Sequence, residues 1–174
     1  PMAEEILYQA LALGADRGLL ITDPGLAGAD TLLTSQVLSA CIRKKCPGSS
    51  LILCGVQTSD SETGQIGPQL AEGLDIPSIG YVNAINIDND TIRVTRHVDG
   101  FKETLQSRLP VLLTIDQEAF PPRYLPLSGI ETAFATHCIE ILNAEVLGFP
   151  PGFNAVKASP TQITDVYSPV SEKQ

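Results

Sequence analysis

A chain of 174 residues that is 43% hydrophobic and 18% charged carries enough apolar content for one globular domain with a real core. Its formal charge of -9 argues against a nucleic-acid surface, which needs a basic stripe. No apolar run approaches the ~20 residues of a membrane span and no signal peptide opens the chain, so a cytoplasmic protein is expected.

Residues 2–13 set Met2, Ile6, Ala10 and Leu13 along one helical face, and Gly14 follows as a stop. A parallel α/β domain opens on a strand, so this helical start implies that a first strand is absent before Pro1. Residues 18–22 (GLLIT) read as a short buried strand, and 23–30 (DPGLAGAD) as a loop of turn formers. Asp30 is then the N-cap of a helix carrying Leu32, Leu33, Val37, Leu38 and Ile42, with Arg43, Lys44 and Lys45 at its negative end. Pro47-Gly48 breaks that helix.

The stretch 51–74 (LILCGVQTSDSETGQIGPQLAEGL) has an apolar run ending at Gly55, a polar loop through Asp60, and a helix over 63–74 with Ile66, Leu70, Ala71 and Leu74 at helical spacing. A loop leaving the carboxyl end of a buried strand, followed by the unpaired N–H groups of a helix start, suits an anionic ligand. Gly55, Gly64 and Gly67 let backbone come close to it. The stretch reads as half of a nucleotide site.

Asp60 and Glu62 admit two readings: first-turn acids and caps, or Asp60 facing a ribose hydroxyl while Thr63, Gln65 and main-chain amides take phosphates. Asp30, Thr31 and Thr34 form a second patch at a helix start, with a plain capped helix as the alternative. The βαβα run predicts parallel strands joined by right-handed crossovers, with the two strand ends adjacent and both patches on one crevice.

The period then changes. Ile79, Tyr81, Ile85 and Ile87 alternate, 88–90 (DND) turns, and Ile92 and Val94 alternate again, which is a hairpin. Residues 111–115 (VLLTI) are a buried strand, 116–129 are loop-like, and 130–141 fit a helix or an edge strand equally. From Val146 to the end a Pro- and Ser-rich extended tail runs over the surface, leaving residues 1–145 as the nucleotide-binding domain.

Catalytic apparatus is missing from this pattern. There is no G-x-x-x-x-G-K-[ST] loop and no G-x-S-x-G elbow, and neither His97 nor His137 has a partner at useful spacing for a base. Cys41, Cys46, Cys54 and Cys138 show no C-x-x-C spacing, so no metal site is expected and the cysteines read as free thiols.

Several blocks at consistent spacing resemble one family. LILCGVQTSDSETGQIGPQLAE is similar to the nucleotide-binding segment of the β subunit of electron transfer flavoproteins. VTRHVDG (94–100) through Glu103, Leu105, Pro110 and 112–114 (LLT) resembles that family's signature, and LALGADR (11–17) and GADT (28–31) match further blocks. Arg123, Tyr124 and Leu127 lie in a stretch similar to the recognition loop that docks partner dehydrogenases, in which a leucine is the anchor.

The resemblance implies a Rossmann-like parallel sheet with helices on both faces, of the adenine-nucleotide α-hydrolase-like type, in a heterodimer with a flavin-bearing α subunit. It implies a cofactor site on Asp30, Thr31 and Thr34 and on Gly55, Val56, Gln57, Thr58, Ser59, Asp60, Ser61, Glu62, Thr63, Gly64, Gln65, Ile66 and Gly67. In one branch of the family this site holds AMP structurally; in the bifurcating branch it holds a second FAD. The 28–35 and 63–69 blocks look more like the latter, so FAD is expected. An acyl-CoA dehydrogenase-type or other redox enzyme is the implied electron partner. Val56 stands where the family carries Arg or Lys, FPPRY (120–124) replaces NEPRY, and the C-terminal arm that clasps the α subunit is short. Readings of another class are a non-redox adenine-nucleotide scaffold and a stress-protein-type nucleotide sensor on the same fold.

Overall fold

The computed structural model describes residues 2–58, 61–136, 138–162 and 165. Its order is α1 (Met2–Ala12), β1 (Gly18–Ile21), a 3-10 turn (Pro24–Leu26), α2 (Thr31–Lys45), β2 (Leu51–Gly55), α3 (Ile66–Leu74), β3 (Ser78–Asp88), β4 (Thr91–Val98), β5 (Phe101–Arg108), β6 (Val111–Ile115), α4 (Leu127–Thr136), β7 (Ile139–Leu142) and α5 (Ala155–Ala158). The fold is α/β and Rossmann-like. Among the described residues no helix is long and apolar enough to cross a membrane.

The strands form two sheets, β1-β7 and β2-β6-β3-β4-β5. In the larger one β2, β6 and β3 run parallel, while β4 and β5 extend it as antiparallel hairpins. The expected adjacency of β1 and β2 does not occur, because β1 takes β7 as its parallel partner and β2 takes β6. Strand order is a matter of distant pairing, and a local βαβα pattern does not contain it.

Helix α2 joins the two sheets. Val37 and Cys41 pack with Leu19, Ile21 and Leu142 on the smaller sheet, whereas Leu38 and Ile42 pack with Ile52, Cys54 and the α3 residues Leu70 and Ala71. Leu70 and Leu112 are almost fully buried there, each worth ~1.5–3 kcal/mol against exposure. On the opposite face Leu51, Val82, Ile92, Val94, Val111 and Leu113 form another core. Residues of β4 and β6 share it although β3 lies between them, which a twisted sheet allows.

Two expectations about elements need correcting, and one open choice is resolved. The buried face of α1 is Leu11 and Ala12, with Tyr8 beside them, because that face meets Ile130 and Ala133 of α4; Ile6 is exposed. Helix α3 starts at Ile66 and not at 63, because Glu62 (φ 49°) and Gly64 (φ 62°) are left-handed and cannot sit in a right-handed helix. Residues 130–141 are both alternatives in turn: α4 runs from Leu127 to Thr136 and β7 follows.

Strand β5 was outside the sequence reading. FKETLQSR is half polar and lies at a sheet edge, but its two-residue turn, Asp99-Gly100, has φ of 52° and 78° as a tight hairpin needs. Beyond β7 the chain runs over the surface yet is anchored in it. Leu147, Ala155 and Ser159 are buried, and Phe149 stacks at a tilt on Phe153 (4.8 Å).

Candidate functional site

The cleft begins at the carboxyl end of β2. Cys54 and Gly55 form its floor, residues 56–58, 61 and 63–65 contribute one wall, and the start of α2 the other. Its volume is about 430 Å³, lined by Ala29, Asp30, Thr31, Thr34, Cys54, Gly55, Val56, Gln57, Thr58, Ser61, Thr63, Gly64, Gln65, Ile66 and Gly67. Both sequence-predicted patches therefore face one space, although their strands are not neighbours. Ser59 and Asp60 lie outside the described residues, as do Pro1 and His137. Glu62 is exposed and not among the lining residues, while Ala29 and Cys54 are lining residues that the sequence reading left out.

Asp30 is the best-tied residue of the rim. Its Oδ1 accepts the Leu33 amide (2.8 Å) as an N-cap, and its Oδ2 accepts the Thr161 amide (3.0 Å). Those two amides, Leu33 first, hold its carboxyl below the usual carboxylate range, so it is ionised at neutral pH. Its main-chain oxygen takes the Thr34 hydroxyl (2.7 Å) and its own amide donates to Ser159 Oγ (3.0 Å). The capping reading of Asp30 thus describes its carboxylate.

Across the cleft the Thr31 hydroxyl donates to Gln65 Oε1 (2.7 Å), so a side-chain bridge joins the two helix starts. The far wall is shaped by backbone. Thr58 Oγ1 and Ser61 Oγ are 3.0 Å apart, the Glu62 amide donates to Thr58 O (3.0 Å), and left-handed Gly64 turns the chain into α3. No side chain caps α3. Pro68 has no N–H and the Gln69 amide returns to Gln65 O (3.1 Å), so among the described residues the Ile66 and Gly67 amides have no hydrogen-bond partner at this positive end.

Gly67 sits where a Cβ would lie 2.4 Å from Thr114 Cγ2, which sets α3 directly against β6. A Cβ at Gly55 would meet nothing nearer than 3.9 Å, leaving the floor open to a ligand. Among the lining residues there is no lysine, arginine or histidine. What the described lining offers an anion is main-chain donors, hydroxyls and a helix start. Burial pushes the Cys54 thiol up, so it is neutral at neutral pH.

A second cleft of about 620 Å³ shares Gly55, Val56 and Gln57 as a wall and continues past Tyr81, Ile115, Asp116, Glu118 and Phe120. Tyr81 is half exposed with φ 60°, and its amide donates to Thr114 Oγ1 (3.2 Å). The strand bulges just beyond it, between Val82 and Ala84.

The predicted docking residues lie elsewhere. Arg123 donates to the Leu13 carbonyl (3.1 Å), Tyr124 is 98% exposed and Leu127, the first residue of α4, is 73% exposed. Beside them Phe134 stacks on Tyr8 (4.4 Å), and Tyr8, Leu125, Ile130 and Phe134 line an apolar groove. Among the described residues no group of three or more His, Cys, Asp or Glu could hold a metal ion.

Comparison with known proteins bears on this geometry. Residues 1–145 match the family model described as the electron transfer flavoprotein domain. The chain is 39% identical over 171 residues to the electron transfer flavoprotein subunit beta of Thermoanaerobacterium thermosaccharolyticum, covering 98% of this chain and 65% of that protein. It is 39% identical over 169 residues to the caffeyl-CoA reductase-Etf complex subunit CarD of Acetobacterium woodii, covering 97% and 64%. It is also 35% identical over 175 residues to the acryloyl-CoA reductase electron transfer subunit gamma of Anaerotignum propionicum, covering 97% and 65%. The chain thus spans a little under two thirds of the length of these curated relatives.

Proposed function

The chain belongs to the electron transfer flavoprotein family, among relatives named as its β subunits, and from that premise we propose that it binds an adenine nucleotide, FAD in preference to AMP, as the β-type partner of a flavin-bearing α subunit. The observation that carries this reading is the bridged cleft. An uncapped helix start with two available amides faces a capped helix start across the Thr31–Gln65 hydrogen bond.

The residues present suit the diphosphate and ribose of such a ligand. The Ile66 and Gly67 amides point a positive helix end at the anion. Open Gly55 admits close backbone approach, and the Thr63 side chain on the rim offers a hydroxyl. Val56 supplies no charge, so the helix start and the hydroxyls carry the anion's stabilisation. When FAD is bound, the flavin supplies the redox chemistry, and the chain's share is binding, orientation and exclusion of water. The second cleft beyond Gly55–Gln57 favours FAD over AMP, since it gives a longer ligand room past the nucleotide.

As a β-type subunit the chain takes part in electron transfer between the α subunit and a dehydrogenase- or reductase-type enzyme in the cytoplasm, with electron bifurcation as the consequence of a second flavin. Tyr124 and Leu127 are its contact with that enzyme, which the exposed apolar surface around α4 supports. The test is a cofactor count on the chain purified with its α partner. Two flavins per pair are expected. One flavin with one AMP would remove the FAD preference, and neither nucleotide in the β-type chain would refute the reading. Thr63→Val should lower nucleotide retention in the same assay.

A further inference from the structure

We propose that the C-terminal segment is a clamp for the nucleotide cleft, with Ser159 as a positioning residue that acts through Asp30. The proposal rests on the nucleotide reading of the cleft and adds a coupling that the reading does not contain.

The segment reaches the rim at several points. Ser159 is 3% exposed, and its Oγ accepts the Asp30 amide (3.0 Å) while the Thr161 amide donates to Asp30 Oδ2 (3.0 Å). Upstream, the Ala144 amide donates to Asp23 Oδ2 (3.0 Å). Two glycines make room for the segment: a Cβ at Gly25 would lie 2.3 Å from Phe153 O, and one at left-handed Gly28 would lie 2.8 Å from Val156 Cγ2.

The loop between β1 and α2 is therefore seated on residues 144–161 along its length. Asp30 passes that seating to the ligand space, because Thr31, the next residue, crosses to Gln65 and the start of α3. None of residues 144–162 lines the cleft. A ligand that needs the rim in this position must in turn stabilise the docked segment, since coupling between two binding events is reciprocal.

The experiment is amide hydrogen exchange on the full chain with and without saturating FAD. Exchange at Ala158, Ser159 and Thr161 is expected to slow about fivefold, the effect of one hydrogen bond's worth of stabilisation, alongside slower exchange at Ile66 and Gly67. Ser159→Ala is expected to bind FAD about fivefold more weakly and to lose the slowing at Thr161 while keeping it at Gly67. Protection of Ile66 and Gly67 with none at 158–161 in the unaltered chain would overturn the clamp alone. A Ser159→Ala chain of lower melting temperature but unchanged FAD affinity would also overturn it, because Ser159 would then be structural only. Protection at neither place would overturn the nucleotide reading, and the clamp with it.

Discussion

Gly67 is the position where the account is most exposed to a single substitution. An alanine Cβ there would lie 2.4 Å from Thr114 Cγ2, with Leu112 Cδ2 at 3.6 Å and Cys54 Cβ at 3.9 Å. Carbon atoms pack at ~3.5–4.0 Å, so the first contact is short by about an ångström. Thr114 is 5% exposed and β-branched, and turning its methyl away would move the Oγ1 that takes the Tyr81 amide. The relief must come from α3 moving off β6. Overpacking of this kind costs ~1–3 kcal/mol and alanine returns ~0.5–1 kcal/mol as the better helix former, which at the middle of both ranges leaves about 1 kcal/mol of net destabilisation. For a domain of this size that lowers the melting temperature by about 2–4 °C.

The Ile66 and Gly67 amides move with the helix, so FAD binding should weaken too. Thr114→Ser removes the obstructing methyl and keeps Oγ1, so the pair Gly67→Ala with Thr114→Ser should recover most of both losses. Urea unfolding and an FAD titration on the four proteins provide the check. A Gly67→Ala chain as stable as the unaltered one, or a double variant no better than the sum of the singles, would refute the reasoning.

Acid should act first on the loop between β1 and α2. Asp23 is held below the usual carboxylate range by the Ala144 and Gly25 amides, and Asp30 by those of Leu33 and Thr161. A depressed folded value means that their stabilisation is present above pH ~4 and lost as pH falls through the lowered values. Protection of the Gly25 and Leu33 amides, taken relative to the intrinsic exchange rate at each pH, should fall below pH ~4, and Asp30→Asn should flatten that dependence at Leu33; an unchanged profile would contradict it. Burial raises the Cys54 and Cys41 thiols, so at pH 8 both should alkylate more slowly than a free thiol, and FAD should slow Cys54 further because it lines the cleft. Labelling of Cys54 indifferent to FAD would place the ligand elsewhere. Leu127→Ala, at a side chain 73% exposed, should lower electron delivery to the acceptor enzyme and leave bound cofactor and melting temperature unchanged; equal loss of all three would make Leu127 a core residue.

What the sequence disclosed is what local physics encodes. Asp30 before an apolar helical period marked the start of α2, and an apolar run stopped by Gly55 marked β2 and the cleft floor. The three-residue error at the start of α3 came from reading Thr63 to Gln65 as helix, when left-handed Glu62 and Gly64 show only in backbone geometry. The pairing of β1 with β7 joins residues more than a hundred positions apart, and nothing in either strand names its partner. The same holds for Ser159 and Thr161. A Ser-Pro-Thr run in a Pro-rich tail has the composition of a surface loop, and its role at Asp30 exists only once the chain has returned to the loop between β1 and α2.

On the nucleotide reading, an adenine dinucleotide sits between the starts of α2 and α3. An isotope-labelled chain titrated with FAD and followed amide by amide tests it most directly. Saturable shifts are expected, largest at Ile66 and Gly67, then at Gly55 and Thr31, with β4 and β5 unmoved. Shifts centred on β4 and β5, or none that saturate, would contradict it.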